Sequence, residues 1–288
     1  MTEPVQMELS HPKPAYRLPW PLVAGGLLLG VHLVVALLTL VWTPPYGVGE
    51  MVGGRLEAPS WLHWAGTDRL GRDLMTQIMI GSRIALVVGC GAIAISAVIG
   101  VTLGVLAAFA TQTLDDVLAA TLDILIAFPP TLLLAMLIVA SSDGASLTTA
   151  IVAIGIAGSA IVARLTRILA KRVLAMDYIT ASRISGTSWF GLVRIHVLPN
   201  IWPTLIVNFA LQFGLAVIAE ASLSYLGLGA PPPNSSWGRL LQEAQASVYT
   251  APFGAIAPGL ALVSLVIGLN LFADGLRDVA DPTRRRRR

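Results

Sequence analysis

Charged residues are scarce in this chain of 288 residues. Only 12% are Asp, Glu, Lys or Arg, whereas a typical soluble domain has about 25%. Long hydrophobic runs take their place, since 55% of the residues are apolar and the mean hydropathy is +0.76. This composition excludes an ordinary soluble domain and predicts an all-α, polytopic membrane protein.

Cysteine is almost absent, because Cys90 is the only one. A single cysteine excludes a disulfide framework, and the four scattered histidines do not form a ligand pattern, so we expect no metal site. The GxxxxGK[ST] loop that binds nucleotide phosphates is missing, as are HExxH and any spaced Ser/His/Asp or Cys/His set. We therefore expect no catalytic residue and no bound cofactor in this chain, and the chain is not expected to be an enzyme.

Six apolar runs are long enough, or nearly so, for membrane helices, which need about 20 residues. They cover residues 22–42, 84–110, 117–140, 147–163, 201–219 and 252–273. Pro129–Pro130 predicts a kink in the third run, with carbonyl groups released from the helix ladder. Gly100 and Gly104 permit close helix packing in the second run.

Few polar side chains interrupt these runs, and each is expected to have a partner or a cavity. For Asp123 a solvated or paired position near the membrane surface is favoured over a substrate role. For His32 a packed or lipid-boundary position is favoured over a ligand or a proton relay. Asn208 and Gln212 share one face of the fifth run, and pathway lining and bonds between helices are both open. Glu220 is interpreted as a helix-end carboxylate, with contact to a substrate's amino terminus as the alternative.

The basic residues predict the orientation of the spans. Six spans place both termini on one side, and fourteen of the nineteen Lys and Arg lie in the two tails and in the loop between spans four and five. The positive-inside rule therefore predicts that both termini are cytoplasmic. The chain is then divided into a cytoplasmic tail (1–21), a first transmembrane helix (22–42), an outer loop (43–83), a core of five helices (84–276) with a cytoplasmic loop at 168–200, and a basic cytoplasmic tail (277–288). The five arginines at 284–288 indicate contact with membrane lipid headgroups, and with no interleaved aromatic residue they do not indicate nucleic acid.

The two outer segments carry local helix signals. In residues 61–86, WLHWAGTDRLGRDLMTQIMIGSRIAL, Thr67 or Asp68 is predicted to cap a helix. This amphipathic helix would lie on the outer membrane surface ahead of the second span, with apolar residues such as Leu74 and Ile78 on one face. Between spans five and six, three prolines predict an irregular crossing. A short helix is then expected from Trp237, which suits a membrane–water boundary.

The loop between spans four and five, residues 177–200, reads DYITASRISGTSWFGLVRIHVLPN. It predicts a short helix over residues 177–185, with Tyr178, Ala181 and Ser182 on one side, that ends or turns at Gly186. A second short helix over residues 188–196 would place Trp189, Leu192 and Val193 on its apolar side and close at Pro199.

This loop resembles the cytoplasmic EAA loop of ABC-importer membrane subunits, a helix-turn-helix that fits a groove on the partner ATPase. Ala181 and Gly186 match that pattern, whereas Thr180 stands where the glutamate belongs and Ser182 where the second alanine belongs. The resemblance implies an ATPase-coupling role for a set of eight residues: Asp177, Tyr178, Thr180, Ala181, Ser182, Gly186, Leu198 and Pro199.

Three further stretches resemble signatures of the C-type permease subunits of dipeptide, oligopeptide and nickel uptake systems. The first is GTDxxGRD, formed by Gly66, Thr67, Asp68, Gly71, Arg72 and Asp73. The second is SLSYLGLG at residues 222–229, and the third is NLFADGLRDVADP at residues 270–282, with Asp274, Gly275, Arg277 and Asp278. The four signatures occur in the family's order and cover most of the chain, from residue 61 to residue 282.

The resemblance implies the transmembrane domain of a type I ABC importer (MetI-like), in the inner (cytoplasmic) membrane, that forms half of a translocation pathway for dipeptides or oligopeptides. It implies four kinds of partner: a second homologous permease subunit, two ATP-binding subunits or a fused ATPase, an extracytoplasmic solute-binding protein, and membrane lipid. ATP would bind to the partners. Nickel or another small solute is the alternative substrate. An ATP-independent secondary transporter is the alternative class, and it would need repeated intramembrane charges and inverted repeats.

Overall fold

The computed structural model describes residues 18–42, 46–47, 49–141, 144–229, 231 and 234–280. These residues form helices and connecting loops without a β-strand, as predicted. The long helices are α1 (Trp20–Val41), α2 (Leu74–Phe109), α5 (Leu147–Leu174), α8 (Leu198–Tyr225) and α10 (Phe253–Ala280). Shorter helices are α3 (Gln112–Ala127), α4 (Pro130–Ala140), α6 (Asp177–Ile184), α7 (Trp189–Gly191) and α9 (Trp237–Ala244). Five helical stretches are long and apolar enough to cross a membrane, and α3 with α4 gives a sixth if this bent pair is one span.

The helix α2 is one unbroken helix of 36 residues, so the separate interfacial helix predicted ahead of the second span is wrong. Its N-terminal turns are buried against the protein, with Leu74 only 4% exposed. The predicted cap at Thr67 or Asp68 is also wrong, because the cap is Asp73, whose carboxylate accepts from the backbone N–H of Thr76 at 2.8 Å. Gly81 does not break the helix, because the indole ring of Trp237 packs directly over it.

Close packing of α2 against α5 forms the centre of the bundle. A Cβ atom at Gly100 would meet the carbonyl of Ser159, and one at Gly104 would meet the carbonyl of Ala163. The predicted close helix packing at these glycines is confirmed. The hydroxyl of Ser96 on α2 also donates to the carbonyl oxygen of Gly155 at 2.8 Å, which further fixes the two helices together.

The predicted kink in the third span is a full break. Helices α3 and α4 meet at 97° around Pro129 and Pro130. Two consecutive prolines remove two backbone donors, and their rings clash with the preceding turn, so the chain changes direction instead of bending.

Ion pairs join α3 to the C-terminal half of α5, which runs eleven residues beyond the predicted end of the fourth span. The buried Asp115 accepts from Arg167 Nε at 2.5 Å and Nη2 at 2.8 Å, and also from Lys171. Asp123 lies 3.2 Å from Arg164 and is about half exposed. The paired position predicted for Asp123 is confirmed.

Helices α1 and α10 pack together through glycines. A Cβ atom at Gly25 would collide with the backbone of Phe272, and one at Gly275 would collide with Leu22. His32 on α1 is 8% exposed, and its Nε2 lies 2.9 Å from Ser264 Oγ on α10. Of the two positions expected for His32, the packed one is therefore confirmed. The five terminal arginines and the first 17 residues of the N-terminal tail lie outside the described residues.

Candidate functional site

The segment between α5 and α8 begins with the short helix α6. Ile179 is fully buried in a cluster with side chains of α5 and α8, among them Val173 and Leu205. The helix ends in a Schellman-type cap, because the N–H of Thr187 donates to the carbonyl of Ser182 at 3.1 Å and Gly186 has a φ of +84°. The turn predicted at Gly186 is confirmed, and glycine adopts this positive φ with the least strain.

The closure predicted at Pro199 is wrong, because the chain stays helical from Trp189 to Tyr225. A wider π-helical turn covers Leu192–Val197, and the N–H of Leu198 donates to the carbonyl of Val193, five residues earlier. The wider π-helical spacing lets the helix continue although Pro199 has no backbone N–H to donate. The second helix of the segment is thus the direct start of α8.

Polar side chains fix α6 to the start of α8. The hydroxyl of Ser182 donates to Thr187 Oγ1 at 2.8 Å and lies 3.2 Å from His196 Nε2. Asn200 Nδ2 donates to the hydroxyl of Tyr178 at 3.4 Å. Ser182 stands where the EAA pattern has its second alanine, and its hydroxyl here bonds Thr187 and contacts His196.

The solvent-exposed surface of this segment carries apolar side chains. Ile184 is 83% exposed, Phe190 is 63% exposed, and Trp189 is half exposed with its ring 5.4 Å from Phe109 at the end of α2. We call these three residues, with Tyr178, the coupling surface, after the EAA loop that this segment resembles. Asp177, Thr180, Ala181 and Pro199 are exposed beside it, and Leu198 is half-buried. Ile184 and Phe190 were not predicted from the sequence, although two large apolar residues in a polar loop were the available signal.

The GTDxxGRD residues form one hydrogen-bonded network in the loop before α2. The carboxylate of Asp68 accepts from the N–H groups of Leu70 and Arg72, from Arg72 Nε at 2.5 Å and from Gln77 Nε2 at 3.1 Å. Arg72 Nη2 then donates to Glu243 on α9 at 2.7 Å. These bonds attach the loop to the helix that follows span five.

The remaining residues of that signature hold the same loop closed. Asp73 lies 3.0 Å from His63 Nδ1, and Thr67 donates to the carbonyl of Gly54 at 2.6 Å. Gly66 and Gly71 have φ values of +82° and +78°. All six signature residues therefore have a structural role in this loop. The signature NLFADGLRDVADP begins in the C-terminal part of α10. There Gly275 is buried against α1, and Asp274 and Arg277 are exposed.

The candidate pathway residues lie along α8 but not in one place. Asn208 lines a cavity at the α5–α8–α10 junction with Arg277, whereas Gln212 lines a different cavity beside α3 and α4. Glu220 is 3% exposed, accepts from Ser224 at 2.6 Å and lies five residues before the end of α8, so the helix-end position is wrong.

Trp237 was expected at a membrane–water boundary, and this expectation is also wrong. It begins α9, as predicted, but it is 2% exposed and donates to the carbonyl of Ile78 at 3.0 Å. The ring packs edge-on against His32. Among the described residues, no group of three or more His, Cys, Asp or Glu is placed to hold a metal ion.

A bundle of long apolar helices, five or six of which can cross a membrane, defines a multi-pass membrane protein. Residues 100–286 match the family described as the binding-protein-dependent transport system inner membrane component. The chain belongs to this family and is a multi-pass protein of the inner membrane.

Several relatives are similar over most of their length. The di/tripeptide transport system permease protein DppC of Pseudomonas aeruginosa (strain UCBPP-PA14) is 38% identical over 265 residues, which cover 90% of this chain and 87% of the relative. The glutathione transport system permease protein GsiD of Pectobacterium atrosepticum is 36% identical over 90% of this chain and 86% of the relative. The dipeptide transport system permease protein DppC of Alkalihalophilus pseudofirmus is 34% identical over 90% and 85%.

Proposed function

We propose that this chain is a permease subunit of an ATP-driven ABC importer that carries short peptides, and that it forms half of the translocation pathway. The observation that supports this best is the similarity over nine tenths of the chain to permeases named for dipeptides, di- and tripeptides and glutathione, itself a tripeptide. These names favour a peptide over nickel as the substrate.

The coupling surface is the proposed contact with the ATPase. Apolar side chains that stay exposed on a polar loop are typical of an interaction site. Because Ile179 anchors α6 between α5 and α8, a push on α6 is passed directly to both helices. ATP-driven closure of the ATPases would therefore tilt these helices between inward-open and outward-open states.

The proposed orientation follows from this contact. The α5–α8 loop, both termini and the basic tail (277–288) would be cytoplasmic, with the loop before α2 and the helix α9 on the outer side. The division into tails, first helix, outer loop and core of residues 84–276 goes with this orientation.

The proposed assembly contains a second homologous permease, two ATP-binding subunits or one fused ATPase, and an extracytoplasmic solute-binding protein. ATP would bind to the ATP-binding subunits. The solute-binding protein would dock over the outer loop and α9. Asn208, Gln212 and Glu220 are proposed to lie along or beside the pathway.

The test is co-purification of the chain with its partner subunits, followed by ATPase and uptake assays in liposomes. Gly186→Pro removes the positive φ that the turn requires, and we expect it to keep the second permease but to lose the ATPases. Gly186→Asn is the matched control, since asparagine tolerates this conformation, and it should retain them. Uptake by the unmutated chain alone, without ATP, would refute the proposal and favour a secondary transporter.

A further inference from the structure

The break between α3 and α4 leaves a cavity of about 280 Å³ against α2, α5 and α8. Its walls are mostly apolar and include Ile126, Phe128, Leu134, Ile154, Ile161 and Leu215. The volume lies near the lower end of the range for small-molecule pockets, about 300–1,000 Å³, so the cavity suits a part of a small substrate.

Gln212 lines this cavity and carries an unused hydrogen-bond donor. It is 7% exposed, and its Nε2 is buried without a hydrogen-bond partner among the described residues. A buried donor without a partner destabilises the folded protein. The terminal torsion of glutamine has a broad energy minimum, so the amide can turn towards an acceptor in the cavity at little cost.

The proline pair leaves unused acceptors in the same wall. In a continuous helix, the carbonyls of Leu125 and Ile126 would accept from the N–H groups four residues later. Those positions are Pro129 and Pro130, which have no N–H. Leu125, Ile126 and Gln212 all line the cavity, so two residues whose carbonyls have lost their helical donors border the same space as the Gln212 amide.

We propose that this cavity is a subsite for the peptide bond of the substrate. Gln212 Nε2 donates to the substrate carbonyl, and the carbonyl of Leu125 or Ile126 accepts the substrate N–H. A lipid chain would leave donor and acceptors unpaired, and a partner helix has its own N–H and C=O groups bonded internally. A peptide backbone in extended form satisfies both. The inference rests on the proposed function as a peptide permease.

Recognition of this kind has a direct consequence for selectivity. The peptide bond is common to all peptides, while the apolar walls offer few polar contacts to the side chains. The subsite would thus accept peptides of differing sequence and reject solutes of similar size without an amide.

The experiment uses the complete transporter in liposomes with its solute-binding protein and three substrates of one side-chain composition. One is the normal dipeptide, one is its ketomethylene isostere, which keeps the carbonyl but lacks the N–H, and one is its trans-alkene isostere, which lacks both. The ratio of uptake efficiencies, each the maximal rate divided by KM, for the ketomethylene and alkene compounds isolates the carbonyl. Gln212→Leu removes the donor, and Gln212→Met is a second apolar variant. Thr121→Val is the control, since this exposed hydroxyl bonds only within its own helix, to the carbonyl of Val117 at 2.9 Å.

We expect this ratio to be about tenfold higher in the unmutated transporter than in both Gln212 variants, the value of one hydrogen bond of about 1.4 kcal/mol, and to stay unchanged in Thr121→Val. A preference of the solute-binding protein enters every ratio equally, so it cancels when the variants are compared. An unchanged ratio in the Gln212 variants overturns the subsite and indicates that lipid or a partner helix fills the cavity. Failure of the unmutated transporter to take up the normal dipeptide overturns the proposed function itself.

Discussion

Arg72 and Glu243 form an ion pair, with Nη2 and Oε2 2.7 Å apart, although 171 residues separate them in the chain. The same arginine binds the buried carboxylate of Asp68. The GTDxxGRD sequence therefore joins the loop before α2 to the helix α9 through Arg72. This explains why the motif needs an arginine, since one guanidinium can bind two carboxylates at once.

Arg72→Gln should destabilise the protein strongly, because it leaves the carboxylate of Asp68 buried without its cation. Removal of one partner from such a pair costs about 3–5 kcal/mol, and here the cost should lie at the lower end, because Arg72 is partly exposed. Thermal unfolding in detergent measures the effect. Arg55→Gln, on an exposed arginine of the same loop, is the control and should shift the midpoint little. Equal shifts for the two variants would show that the bonds of Arg72 to Asp68 and Glu243 do not stabilise the protein.

Asp115→Asn should loosen α3 from α5, because Arg167 and Lys171 lose the carboxylate that both of them bind. The adjacent Asp116→Asn is a matched control, since Asp116 is exposed whereas Asp115 is buried. We expect a drop of several degrees in the unfolding midpoint for Asp115→Asn and about one degree or less for Asp116→Asn, by analogy with buried and surface pairs. Similar midpoints for both would show that the triad does not stabilise the bundle.

Gly81→Ala should destabilise the packing of α9, because the added Cβ would overlap the indole of Trp237. Overpacking of this kind costs about 1–3 kcal/mol. Trp237→Leu in the same chain provides room, so the double variant should be more stable than the sum of the two single changes predicts. A strictly additive result in thermal unfolding would rule out this contact as the cause.

Phe190→Asp should weaken the proposed ATPase contact without unfolding the chain, since Phe190 is 63% exposed. We expect at least a tenfold loss of co-purified ATPase and of ATP-driven uptake, as for a central apolar residue of an interface. Leu62→Asp is the control for co-purification of the ATPase, because Leu62 is similarly exposed in the loop before α2, at the other end of the molecule. Retention of the ATPases by Phe190→Asp would remove this residue from the contact.

The sequence predicted the features that depend on local chemistry. The apolar runs, the turn at Gly186 and the close approach at Gly100 each follow from composition or from the properties of one residue type. The features that failed depend on distant partners. Trp237 is buried because Gly81 and His32 meet it, and neither contact can be read from the residues around position 237.

The same distinction applies to Pro199 and to the site. The local rule predicts a helix end before a proline. Here a π-helical turn precedes Pro199, and the helix continues although this residue has no N–H to donate. Gln212 and Pro130 are 82 positions apart, and only the packing of α8 beside the α3–α4 break brings both residues to one cavity.

The unbroken helix α2 also limits how the protein can move. At about 1.5 Å per residue, its 36 residues give a rod of roughly 54 Å. One end is capped by Asp73, in the loop that Arg72 joins to α9. The other end places Phe109 against Trp189 of the coupling surface. A continuous helix passes a displacement of one end on to the other. In the proposed assembly, the solute-binding protein on the loop and the ATPase on the coupling surface would therefore act on the two ends of one helix, without a relay of side chains between them.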